Sequence, residues 1–150
     1  MIQKIISGAQ TGADRAGIDA AIESGVEYGG WIPKGRKAED GTVPEKYTEL
    51  TEVPRGGYPK RTEQNVIDFD GTIIFTYGKL TTGSALTKKF AVQHKKPFLH
   101  IDLDTALKPS STIKAWIQEN NIQVLNVAGR SASKSPGIYE HVKGIICEIL

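Results

Sequence analysis

The chain has 150 residues, enough for one domain with its own core. Hydrophobic residues at 39% and charged residues at 24% are globular values, and no apolar run is long enough to cross a membrane. A net charge of +2 is too mild to argue for a nucleic-acid partner, and the single cysteine, Cys147, excludes an intramolecular disulfide.

Taken in order, Lys4-Ile5-Ile6-Ser7 reads as a short buried strand ending at Gly8. Its Met1-Ile2-Gln3-Lys4 lead lacks a signal-peptide pattern, so with the lone cysteine a cytoplasmic protein is expected. Ala13 to Ser24 reads as a helix with Gly25 closing it, and Ala16, Gly17, Ala20 and Ala21 give it a small-residue face for close packing on a sheet. Glu27 to Ile32 is a second strand of weak propensity. From Pro33 to about Lys60 periodicity is lost, and Gly, Pro and charge dominate. A loop of this length is expected to be functional rather than filler, too polar for core, with an edge strand over Tyr47 to Val53.

Arg61 to Gly71 contains a short helix, capped by Thr62, that leads into the strongest strand, Gly71 to Tyr77. Then come helix Ser84 to Lys95, strand Pro97 to Ile101, helix Ser111 to Asn120 and strand Gln123 to Val127. A last helix runs from Pro136 to Leu150, with Ser135 as N-cap and Pro136 at the first helical position. Alternating strands and helices predict a single Rossmann-like, doubly wound parallel sheet in a three-layer α/β/α arrangement.

Three strand ends are alike in being rich in Gly, Ser and Thr. They are SGAQTGAD, YGKLTTGSALT and NVAGRSASKSPG, and each leads into a helix. In a parallel sheet they meet at the carboxyl edge, where open α/β sheets bind ligands and helix N-termini favour phosphate. Each loop singly is equally a tight turn, and Thr11 with Asp14 is equally a capping box. Three together, beside a basic insert, point to a ligand.

The candidate binding residues follow. The first loop offers Gly8, Gln10, Thr11, Gly12 and Asp14, with Asp14 the acid expected to face the cleft. The second offers Thr82, Gly83, Ser84 and Thr87, whose hydroxyls are candidate donors. The third offers Gly129 and Arg130, with Lys134 adding charge. Lys34 and Arg36 of the insert are expected to approach the anion, backed by Arg61 and Asn65 on one face of the short helix.

The other polar candidates are plainer. Asp68 and Asp70 read as turn formers, and Glu39, Asp40 and Glu63 as further carboxylates. His94, His100 and His141 lack metal-ligand spacing, so no metal site is expected; His100 reads as structural and Cys147 as core. Trp31 and Tyr58 could stack on a base or pterin, while Trp116 reads as core. No loop is a Walker A or a GxGxxG fingerprint, which argues against an NTP hydrolase or a standard NAD enzyme.

The segments SGAQTGADRAGIDAAIESG…GGWIPKGRKAEDG, RTEQNVIDFDGTIIF, TTGSALT and LNVAGRSASKSPGIY together resemble the family called "putative molybdenum carrier". That resemblance spans nearly the whole chain. It implies a Rossmann-like binding protein for molybdenum cofactor, related to the wider lonely-guy, lysine-decarboxylase-like nucleotide-binding class. Phosphoribohydrolases of that class carry an Arg and then a Pro-Gly-Gly-x-Gly-Thr-x-x-Glu loop. Arg61 has a similar place here, and Gly83 to Thr87 resembles the loop's end, with Thr87 where the catalytic Glu stands. A hydroxyl cannot replace a carboxylate base, which argues for binding over nucleotide hydrolysis, the alternative function. The last strand resembles the opening strand of that class, as in a circularly permuted chain. The resemblance also implies a homodimer, and a small phosphorylated ligand is expected, with molybdenum cofactor and a nucleotide as the candidates.

Overall fold

The computed structural model describes residues 1–150. Its main sheet has five strands, all parallel, in the order β2-β1-β9-β7-β8. They are β1 (Lys4–Ile6), β2 (Glu27–Gly29), β7 (Gly71–Thr76), β8 (Phe98–Asp102) and β9 (Val124–Gly129). The strand that comes last in sequence therefore lies in the centre, between β1 and β7.

Both faces are covered, so β7 is buried along its whole length and needs no polar face. Ile73 and Phe75 point into the larger core with Leu125 and Val127 of β9. That core is closed by α1 (Ala13–Glu23), α4 (Pro109–Glu119) and α5 (Ile138–Ile149). The small-residue face of α1 lets it come close: a Cβ on Gly17 would meet Val127 at 2.8 Å. The opposite face of the sheet carries α2 (Tyr58–Ile67) and α3 (Thr82–Gln93), which pack on each other.

Several boundaries differ from those expected of the sequence. The expected strand Glu27 to Ile32 is broken at Gly30: Trp31–Ile32 forms β3, which leaves the main sheet and pairs with β6 (Thr51–Glu52). Only those two residues of the expected Tyr47 to Val53 strand are extended. The helix after the insert starts at Tyr58 with Gly57 as N-cap, not at Thr62, because Pro59 is at home in a first turn. Likewise α5 begins at Ile138 after Gly137, whose left-handed φ of 87° sets the start; Ser135 and Pro136 lie in the preceding turn. Gly12, not Thr11, caps α1, and no capping box forms there.

The insert is better ordered than its composition suggests. It contains the hairpin β4 (Lys37–Ala38) and β5 (Gly41–Thr42) and a small core of its own. Ile32, Ala38, Val43 and Tyr47 pack with Ala9 and with Ile18 of α1. The expectation that the insert is too polar for core is thus corrected: single apolar residues from short pieces converge. Arg36 ties it together, donating to the carbonyls of Val43 (3.3 Å), Pro44 (2.9 Å) and Tyr47 (3.1 Å). Asp19 anchors it to the helices, accepting from Tyr47 Oη at 2.7 Å and Tyr139 Oη at 2.5 Å.

Candidate functional site at the carboxyl edge of the sheet

The crossover from β1 runs through α1 on one face, and that from β7 through α3 on the other. Their loops diverge above the end of β9, and in a doubly wound sheet a crevice opens at such a point. A cleft of about 510 Å³ lies there. Gln10 and Asp14 line it from the first loop and α1, Thr81 to Ser84 from the start of α3, and Ala128 to Ser131 from the end of β9. Tyr58, Arg61 and Thr62 of α2 and Lys134 of the third loop complete its walls.

Arg61 is the centre of this arrangement. Its guanidinium occupies the space where Gly8 lacks a side chain; a Cβ on Gly8 would fall on it. The first glycine of the opening motif thus makes room for a cation 53 positions further on in the sequence. Arg61 Nη1 donates to Thr62 Oγ1 at 3.1 Å and lies 3.7 Å from Asp14 Oδ2. Its Nε is buried and has no hydrogen-bond partner. Arg130 repeats the pattern: Nη1 donates to Thr81 Oγ1, and its buried Nε is also unpartnered. These are the two orphaned buried side-chain polar atoms of the chain. Leaving such a donor unpaired costs about 1–3 kcal/mol, and the two guanidiniums that bear that cost both belong to the wall of one cleft.

Asp14 is 3% exposed. Its Oδ2 accepts the Gln10 amide at 3.2 Å and faces Arg61, while Oδ1 has no partner within the protein. Burial pushes its carboxyl up to about 6, against the lowering effects of Arg61, the Gln10 amide and Arg15. A second carboxylate, Glu39, reaches the cleft from the β4–β5 hairpin. It accepts from Thr11 Oγ1, from the Ser133 amide (3.1 Å) and from Ser133 Oγ (2.7 Å). Burial raises its pKa, but these donors outweigh it and hold the carboxyl below its usual range. Glu39 therefore clasps the insert to the first and third loops, and Asp40 adds a bidentate pair with Arg15 at 2.6 and 2.9 Å.

The start of α3 has amides at Thr82 and Gly83 that donate to no protein group. Ser84 and Thr87, expected as hydroxyl donors, are buried and committed to the helix itself. Ser84 Oγ donates to the Thr81 carbonyl at 2.8 Å and accepts the Thr81 amide at 2.9 Å; Thr87 Oγ1 donates to the Gly83 carbonyl at 3.1 Å. Of that trio only Thr82 keeps an exposed side chain.

Other expected residues serve elsewhere. Gly12, at φ 84°, packs on the backbone of the third loop, where a Cβ would collide with Arg130 to Ala132. Thr11 holds the same junction, its Oγ1 accepting the Ala132 amide at 3.1 Å, whereas Gly129 lies in the cleft wall, packed against the Phe75 backbone and Ala13. Lys34 lies away from the cleft and Arg36 is spent on the insert, so the expected approach of both to the anion is corrected. Asn65 does not share Arg61's surroundings: its amide pairs with Trp31, accepting from N at 2.8 Å and donating to O at 2.9 Å. Trp31 also donates from Nε1 to Asp68 at 2.8 Å and does not line the cleft, so it is no stacking platform there. Tyr58 does border the cleft, with Arg61 5.7 Å from its ring centroid. Thr81 is the residue missed, and Glu39 is named from the sequence as a carboxylate without a place at the cleft; only their long-range partners, Arg130 for Thr81 and Thr11 and Ser133 for Glu39, betray their positions.

The family described as "Circularly permutated YpsA SLOG family", cpYpsA, matches residues 5–150. The chain belongs to this family. A central β9 that is last in sequence is what a permuted strand order would give. The solved structure of "Putative molybdenum carrier protein" from Syntrophus aciditrophicus SB is similar: 53% identity, 99% of this chain and 94% of that one covered, TM-score 0.94. No curated protein matches. As a cpYpsA member the chain keeps the Rossmann-like layering, with its cationic cleft on the strand ends.

Proposed function

We propose that this protein binds a small ligand bearing a phosphate or a similar oxyanion, a nucleotide-like or pterin compound, in the cleft between the first loop and α3. The observation that carries this reading is the pair of guanidinium groups, Arg61 and Arg130, each with a buried and unpartnered Nε, beside the unpaired amides of Thr82 and Gly83. Together they offer fork-like donors and a positive helix end.

The relative's name speaks of molybdenum, and the donor set bears on how such cargo would be held. No three His, Cys, Asp or Glu side chains gather as a cation site. The cleft suits molybdenum only within an anion, as an oxyanion or through the phosphate of a cofactor. Carriage rather than turnover is supported by Thr87, whose hydroxyl is tied to Gly83 and is no substitute for a catalytic carboxylate.

Isothermal titration with inorganic phosphate and with AMP tests the reading. Arg61→Ala should weaken binding by about 1.5–3 kcal/mol, the usual worth of a hydrogen bond to a charged group. Unchanged affinity in Arg61→Ala and Arg130→Ala, or no binding to the wild-type protein, would refute it.

A further inference from the structure

We propose that Asp14 reads a hydroxyl group of the ligand, so that the cleft takes a phosphorylated sugar in preference to a bare oxyanion. This rests on the proposed anion binding and assigns its second half. Asp14 is nearly inaccessible yet lines the cleft. Its Oδ2 is taken by the Gln10 amide and faces Arg61, and Oδ1 is left without a protein partner. The neighbouring acceptor, Gln10 Oε1, is already used by the amides of Thr11 (3.1 Å) and Glu39 (2.9 Å). Asp14 Oδ1 is thus the open acceptor at this end.

Its chemistry selects the partner. A second cation would be repelled by Arg61, 3.7 Å from the other oxygen. An anion would be repelled by Asp14 itself and by Glu39. A neutral donor remains, and a hydroxyl is the small one. The geometry adds length. The first loop follows β1 and α3 follows β7, two sheet positions apart with β9 between. At about 4.8 Å per position this is about 10 Å, the span of a phosphorylated sugar rather than of one tetrahedral anion. Phosphate at the start of α3 within reach of both Arg130 and Arg61, with a ring hydroxyl on Asp14, fits that span.

The test is calorimetric titration at pH 8 of methyl phosphate and ribose 5-phosphate into wild type and Asp14→Asn. Wild type should bind ribose 5-phosphate at least about tenfold more tightly, as a charge-assisted hydrogen bond allows. In Asp14→Asn the two ligands should move apart in direction. Ribose 5-phosphate should weaken, while methyl phosphate should hold or tighten because a negative charge has gone. A preference that survives in Asp14→Asn, or equal weakening of both ligands, overturns the inference. Should the variant fail to fold, the wild-type pair decides alone. Methyl phosphate bound without preference sinks this inference and spares the proposed anion binding; no binding of either sinks both.

Discussion

The cleft and the insert beside it both depend on arginines, and they treat them in opposite ways. In the insert, Arg36 donates to three carbonyls and closes a small core. In the cleft, Arg61 and Arg130 each keep a buried donor unsatisfied. Arg36 and Arg61 come from one basic stretch, and by charge alone they are equivalent. What separates them is the state of their hydrogen bonds. A satisfied guanidinium is part of the fold, whereas an unsatisfied one costs stability until an acceptor arrives. Gly8 sharpens the contrast, since a side chain is lacking there and a guanidinium takes its place.

If the cleft is held at a cost to the fold, its most buried charge should show that cost most strongly. Asp14 titrates at about 6 in the folded chain, above its ordinary value of 3.8, because burial disfavours its charge. Folding therefore favours its protonated form. The stability linked to it is fully present below pH 3.8 and is lost as the pH rises through 6. Asp14→Asn should be more stable than wild type at pH 8 by up to about 3 kcal/mol, two pKa units at about 1.4 kcal/mol each. The advantage should shrink towards pH 4. Urea denaturation at the two pH values checks this, and a variant less stable than wild type at pH 8 would remove the contrast. Arg36→Ala should do the reverse, lowering stability by about 2 kcal/mol through its abandoned carbonyls. Its phosphate affinity, measured by calorimetry, should stay within about twofold of wild type, the range a remote site allows.

Much of this was legible in the sequence. Alternating apolar runs and helical stretches marked the layers: β7, buried along its whole length, shows the apolar run Ile73-Ile74-Phe75, and β9 shows Val124-Leu125 and Val127-Ala128 on either side of Asn126. The three Gly-rich strand ends were also plain, since sequence order alone brings them to one edge. The roles within the site were not. Asn65 sits one helical turn from Arg61, but its partner Trp31 lies 34 positions away, and nothing local announces it. Ser84 looked like a ligand donor because its type permits it; only the capping geometry shows the hydroxyl in use. The insert looked shapeless because its core takes single residues from pieces too short to display a period.

Two smaller effects test the border between the regions. Glu39 belongs to the insert by chain and to the cleft by position. Glu39→Gln keeps an acceptor for Thr11 and Ser133 but removes a negative charge beside the proposed anion. Phosphate affinity should rise about threefold, an effect of about 0.6 kcal/mol that added salt should reduce. A fall in affinity would mean that the clasp, not the charge, is what the ligand needs.

Lys37 provides the lower limit. It is exposed on β4, two residues from Glu39, and makes no hydrogen bond or ion pair with its side chain. Its charge lies in water, so any pull on a ligand passes through a screened medium. At physiological salt the screening length is about 8 Å, and a lysine outside the cleft walls should contribute almost nothing. Lys37→Ala should therefore leave stability within about 0.5 kcal/mol of wild type. Phosphate affinity should fall by less than about twofold, and only at low ionic strength. Titration at low and at physiological salt reads both. A loss as large as that of Arg61→Ala would mean that the field of the whole basic stretch, rather than two unsatisfied guanidiniums, draws the ligand, and the distinction between cleft and insert would fall with it.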